Sequence, residues 1–194
     1  MKGRRWGTMY DLHILIFFEI SGIPVHVTSA KKVFFKYPAQ HQILICCDGA
    51  SKGNPGLAGI RFIARNHDED YMGAASGGLV IAKNYLAEVI ALIVAGEWAI
   101  TKQWEEVCFS LDSKVVILAF MSNKIPWIVL NRWIKIKMNI PKISFRHSYR
   151  EVSFSADSMA KKGVLLSRGE VMYYEDKPQF LRNLETEDGL YFRF

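Results

Sequence analysis

The chain is poor in cysteine and has none of the spacings that bind metal: Cys46, Cys47 and Cys108 are the only three, and no C-x-x-C pair occurs. That excludes a disulfide framework and a zinc site built on cysteine pairs, and it fits a reducing compartment. Cys46 and Cys47 are adjacent, so on a strand they point to opposite faces and read as small hydrophobes in a sheet. Internal repeats and low-complexity tracts are also missing, which sets aside solenoids and biased polar tracts. Near the N-terminus a basic Met1–Arg5 precedes a largely apolar Leu12–Val27. Asp11, His13 and Glu19 interrupt that stretch, and no run there reaches the length of a membrane span. No membrane association is expected. Residues 1–40 read as an extension of unknown role, and an intracellular site, nuclear or cytoplasmic, is the expected location.

What is present is a chain of 194 residues, 50% hydrophobic and 23% charged, enough for one well-packed domain with extensions. A net charge of +6 leans toward a polyanionic partner, since Lys and Arg draw in phosphates. The composition shifts at Lys36-Tyr37-Pro38, which reads as a linker into the first strand. Ile43–Cys47 is a short apolar run ending at an acid, as a buried strand would be. Gly49–Gly59 is glycine-rich, with a turn signal at Gly53-Asn54-Pro55-Gly56. Ile60–Ala64 and Tyr71–Ser76 are predicted strands joined by a polar turn, Asn66–Asp70.

From Ala82 to Lys102 the apolar period becomes helical, marked by Leu86, Val89, Ile90 and Ile93, with Glu97 an exception on that stripe. Val107–Leu111 is a fourth strand, Ser113–Met121 a short helix and Trp127–Lys137 a basic amphipathic helix. Ile143–His147 is a fifth strand and Phe154–Leu166 a last helix. This order describes one α/β domain whose first three strands form an antiparallel meander, followed by crossover units. In such sheets ligand chemistry collects at strand ends.

Two acids sit at strand ends. Asp48 follows the first strand and Asp112 the fourth. Glu88 lies on the long helix among residues that favour burial, and Asp157 lies among small and apolar neighbours in Phe154–Ala160. A carboxylate on a buried face is costly unless it is paired or bound to metal. Taken singly, each has an ordinary explanation: a turn-starter for Asp48, an N-cap for Asp112, a solvated helix acid for Glu88, a helix-dipole residue for Asp157. Convergence of all four requires the field between them to be neutralised, and Mg2+ or Mn2+ suits hard oxygen ligands.

The segment Asp48-Gly49-Ala50-Ser51-Lys52-Gly53-Asn54-Pro55-Gly56 resembles the first-strand signature of type 1 ribonuclease H. Asn84–Leu92 resembles its first-helix motif and Leu111–Val116 its fourth-strand motif. His147–Glu151, with Ala156–Ala160 after it, is similar to its last motif, the histidine standing ten residues before the acid. The likeness covers about residues 41–169, leaving 170–194 as a C-terminal tail. Pro126-Trp127, His147–Glu151 and the tail from Tyr174 to Phe194 look like the plant retrotransposon-derived branch, whose domains occur in reverse-transcriptase polyproteins.

The resemblance implies a ribonuclease-H-like fold: a five-stranded mixed sheet, its first three strands a meander, flanked by helices. It implies an endonuclease that hydrolyses the RNA strand of RNA–DNA hybrids without sequence preference, acting as a monomer. Asp48, Glu88, Asp112 and Asp157 would hold two Mg2+ ions, with Mn2+ an alternative, and His147 would move a proton or assist product release. Gly49, Ala50, Ser51, Asn54 and Asn84 would contact the hybrid, the glycines admitting backbone amides close to the strand and a reader of the 2′-hydroxyl telling RNA from DNA. The chain departs from the family pattern at Tyr85 and Ser153, where asparagines are common, and in the short Asp112–His147 segment, which leaves Arg132, Lys135 and Lys137 as a reduced basic helix. The alternative is a retroelement remnant, weak or inactive, that only binds nucleic acid.

Overall fold

In the computed structural model the described residues are 5–6, 16–19, 25–26, 31–34, 37–148, 166–167, 169–179 and 190–193. The chain divides into two units, residues 1–32 with 192–194, and residues 33–191. In the first, Arg5–Trp6 pairs in parallel with Val25–His26. The second carries the sheet on which everything below depends.

Its elements, in chain order, are β1 (Ile43–Gly53), β2 (Gly56–Arg65), β3 (Tyr71–Ala82), α1 (Asn84–Thr101), β4 (Glu106–Leu111), α2 (Lys114–Met121), α3 (Trp127–Asn139), β5 (Lys142–His147) and β6 (Val171–Tyr174). The spatial order is β5-β4-β1-β2-β3-β6. β1 runs antiparallel to β2, and β2 to β3, giving the expected meander; β4 is parallel to β1 and β5 to β4. The expected last helix, Phe154–Leu166, lies outside the described residues apart from its final residue.

Two features differ from the sequence reading. The two strands expected to end at Cys47 and resume at Ile60 run on through the glycine-rich stretch. Pairing between β1 and β2 continues from Leu44↔Arg65 to Gly53↔Gly56, so only Asn54 and Pro55 remain to make the turn. Gly53 adopts φ +101°, a conformation glycine tolerates and other residues rarely do. The second difference is the strand count, six rather than five: β6 pairs antiparallel with β3 across Ala74–Gly77. Its four residues, in the expected tail, are too few to display an alternating pattern. Backbone pairing holds them, helped by the Tyr71 hydroxyl, which donates to the Tyr174 carbonyl at 2.9 Å.

The core lies between one sheet face and the helices. Ile45, Phe62, Val107 and Phe109 meet Leu92 and Ile93 of α1, and Trp133 and Ile136 of α3 close the far side. α1 is therefore apolar nearly all round. It is long and apolar enough to cross a membrane by length and composition alone, but 10 of its residues are buried within this fold. Glu97, the exception on its stripe, makes a two-pronged ion pair with Arg132 of α3, at 2.7 Å from Nε and 2.6 Å from Nη2. Being half exposed, the pair contributes about 1 kcal/mol at most. Its larger effect is to fix the crossing of α1 and α3, and it removes Arg132 from the set of cations available to a phosphate.

All three cysteines are reduced; Cys47 is buried, as the small-hydrophobe reading expects, Cys46 is half-buried, and Cys108 is buried as well. Burial pushes the Cys46 thiol from 9.0 up to about 11 and raises Cys47 well above its ordinary value. The unfolded chain therefore loses these protons first. Stability from the neutral thiols is complete below pH 9.0 and falls as the pH rises through about 11; a urea titration series between those limits measures it.

One close approach sets the position of α1. A Cβ on Gly49 would lie 2.2 Å from the Ala87 carbonyl carbon and 2.4 Å from the Glu88 nitrogen, all backbone. Gly49→Ala must push α1 off β1, at a cost of about 1–3 kcal/mol for overpacking. A fall in the urea midpoint is expected; an unchanged midpoint would mean that the helix shifts freely.

Candidate active site

The parallel strands β1, β4 and β5 end at the same edge of the sheet. Cys46 stands beside Ser110, so two residues further on Asp48 is level with Asp112. Leu111 stands beside His147, the last residue of β5. The helix brings in the third acid: Glu88 lies one turn into α1, its backbone packed on Gly49, directly after Asp48. Three of the four sequence-predicted acids thus come from β1, α1 and the end of β4 at one edge. The fourth, Asp157, lies outside the described residues.

Asp48 is buried, with a side chain 11% exposed. A carboxylate there is costly without compensation, and the compensation comes from a residue that the sequence reading passed over. Arg61 stands opposite Asp48 in the β1–β2 register, and its Nη2 donates to Asp48 Oδ2 in an ion pair. The arginine is deeper still, its side chain 4% exposed. The signal was present in the sequence. Once the turn is placed at Asn54-Pro55, counting back along both strands pairs 48 with 61.

Asp112 is half-buried and does not cap the helix after it. Ser113 does, its hydroxyl accepting from the Val116 amide at 3.4 Å. The Asp112 carbonyl instead accepts from His147 Nε2 at 3.1 Å, and the Ser148 amide donates to the Leu111 carbonyl at 2.9 Å. Those two bonds hold the imidazole beside Asp112 at the end of β5. A carbonyl only accepts, so Nε2 carries a proton in this contact.

The residues expected to contact substrate gather where the β1–β2 turn meets the start of α1. Gly49 and Ala50 continue β1, and Gly49 has a structural reason of its own in the helix contact. The Ser51 hydroxyl can donate to the Ala82 carbonyl at 2.8 Å, joining the ends of β1 and β3. Lys83 gives α1 no side-chain cap; Asn54 reaches across, its Oδ1 accepting from the Asn84 amide at 3.3 Å. Asn54 and Asn84 are both exposed, beside the helix N-terminus, where amides and the macrodipole favour a phosphate.

The donor set suits a hard divalent cation, since Asp48, Glu88 and Asp112 offer only carboxylate oxygens. In the arrangement seen, however, no group of three or more His, Cys, Asp or Glu among the described residues is set to hold a metal ion. Asp48 is turned to Arg61 instead. Metal would have to share that carboxylate with the guanidinium or displace it.

Comparison with known proteins identifies the family and the fold. The family model described as reverse transcriptase-like matches residues 46–163. No curated protein matches the chain. Among solved structures, ribonuclease H1 of the halophilic archaeon Halobacterium salinarum is 23% identical with a TM-score of 0.58, over 63% of this chain and 97% of that one. The LC11 ribonuclease H1, isolated from compost and solved with an RNA/DNA hybrid, is 26% identical with a TM-score of 0.56, over 63% and 96%. The prototype foamy virus protease–reverse transcriptase is 20% identical with a TM-score of 0.54, over 75% of this chain and 24% of the viral protein. By its sheet order, its strand-end acids and a model match over residues 46–163, the chain belongs to the reverse transcriptase-like family and has the ribonuclease-H-like fold.

Proposed function

We infer that this protein is a ribonuclease of the hybrid-cleaving type, which hydrolyses the RNA strand of an RNA–DNA duplex without sequence preference. The observation that carries the reading is that β1, α1 and the end of β4, which bear Asp48, Glu88 and Asp112, come to one edge of a ribonuclease-H-like sheet. The likeness to an enzyme solved with an RNA/DNA hybrid supports it.

Asp48, Glu88 and Asp112, with Asp157, would hold two Mg2+ or Mn2+ ions. When bound, such ions neutralise charge on the scissile phosphate and ease both attack by water and departure of the 3′ oxygen. The chain's own groups do the rest. The Asn54–Asn84 corner and the amides at the start of α1 take the sugar–phosphate backbone. His147, anchored through Nε2 to the Asp112 carbonyl, would move a proton or assist product release. We assign the domain to the plant retrotransposon-derived branch, working as a monomer in the nucleus or cytoplasm, on the motif likeness of His147–Glu151 and the tail after Tyr174.

A second reading, a weak or inactive remnant that only binds nucleic acid, is favoured by one observation: the ion pair that engages Asp48.

The deciding assay uses a labelled RNA–DNA hybrid with Mg2+. Wild type is expected to cut the RNA strand, and Glu88→Gln and Asp112→Asn to lose at least about a hundredfold, since even indirect support of a metal ligand is worth 10–100-fold. Wild type and both variants behaving alike would leave the remnant reading. Asp48→Asn should also abolish cutting, but it is not a silent change to the fold. It leaves Arg61 buried without its counter-charge, at a cost of about 3 kcal/mol for a broken buried pair, visible as a lower urea midpoint.

A further inference from the structure

We propose that Arg61 is a built-in cation that competes with divalent metal for Asp48 and so sets the metal affinity of the site. The proposal rests on the nuclease reading for the identity of the metal ligands, and on three observations of this chain for the competition.

The first is register. Asp48 and Arg61 are direct partners on antiparallel strands, so their side chains leave the same face at the closest spacing a sheet offers. The second is burial. Both partners are about nine-tenths or more buried, so water neither screens the pair nor replaces the guanidinium cheaply. The third is chemistry. A guanidinium keeps its charge at every working pH, and its fork matches a carboxylate. A carboxylate has about four lone-pair directions, and Arg61 takes part of what a cation would use at Asp48.

The surroundings give Arg61 somewhere to go. Its register partner on the other side is Ser76 of β3, whose hydroxyl lies 3.2 Å from the Tyr174 hydroxyl of β6. These hydroxyls can accept from the guanidinium when a metal draws Asp48 away. The site then exists in two states: Arg61 on Asp48 at low metal, and Arg61 turned toward Ser76 once metal is bound.

Mn2+ binding to the full-length chain, measured by calorimetry alongside hybrid cleavage, tests this. Arg61→Gln removes the charge yet keeps an amide donor for Asp48; it is expected to bind Mn2+ about tenfold tighter than wild type. Arg61→Lys, which keeps the charge, is expected to stay within about threefold of wild type. Equal affinity of Arg61→Gln and wild type overturns the proposal, as does Arg61→Lys matching Arg61→Gln. If Arg61→Gln does not fold, nitrogen-15 spectra of wild-type arginine side chains decide. The Arg61 Nε–H signal should move as diamagnetic Mg2+ fills the site, and a signal fixed through saturation overturns it. Tighter binding without cleavage in either protein supports the competition while refuting the nuclease reading; equal binding with cleavage in both does the reverse.

Discussion

The contact between Gly49 and the first turns of α1 is the constraint on which the rest of the site depends. A helix cannot ordinarily lie with its backbone against a strand, because a Cβ stands between them; here none does, and the space it would fill is taken by Ala87 and Glu88. The approach does two things. It seals the core where α1 meets the sheet, and it carries Glu88 to the strand position after Asp48. The β4 crossover then sets Asp112 level with Asp48. Acids far apart in sequence are carried to one end of the sheet through one missing side chain and one parallel register.

Much of this could be read from the sequence. The apolar run into Asp48, the change of period after Ala82 and the second run into Asp112 are local signals, and local signals survive into the fold. Glu97 stood out as a charge on an apolar stripe, and it has a partner, Arg132. What could not be read depended on pairing between segments. β6 is a four-residue edge strand held through backbone bonds, which leave no pattern in side chains. Arg61 was missed for a connected reason. With the strands ended at Cys47 and resumed at Ile60, nothing stood opposite Asp48; with pairing carried through to Gly56, Arg61 does. The turn was legible at Gly53–Gly56; counting the pairing back from it would have disclosed the counter-ion. Asp157 and its helix lie outside the described residues.

The electrostatics of the edge follow from that pairing. A buried carboxylate in a central strand needs positive charge, and either metal or arginine can supply it. This chain supplies arginine from within the sheet. The fold thereby gains a satisfied centre in the absence of metal, and under the proposed function the chemistry would acquire a competitor at one of its ligands. The same pair makes Asp48 a structural residue as well as a candidate ligand, so a loss of cleavage on its substitution has two causes that only a stability measurement separates.

The central claim is that Asp48, Glu88 and Asp112 form a metal-binding edge that meets a hybrid duplex. Anomalous diffraction from crystals of the chain with an RNA–DNA hybrid and Mn2+ tests it most directly. Anomalous peaks are expected within bonding distance of these carboxylates, with the RNA strand running past them beside Asn54 and Asn84. A hybrid bound elsewhere, or an edge without manganese and with Arg61 still on Asp48 in excess metal, would contradict it.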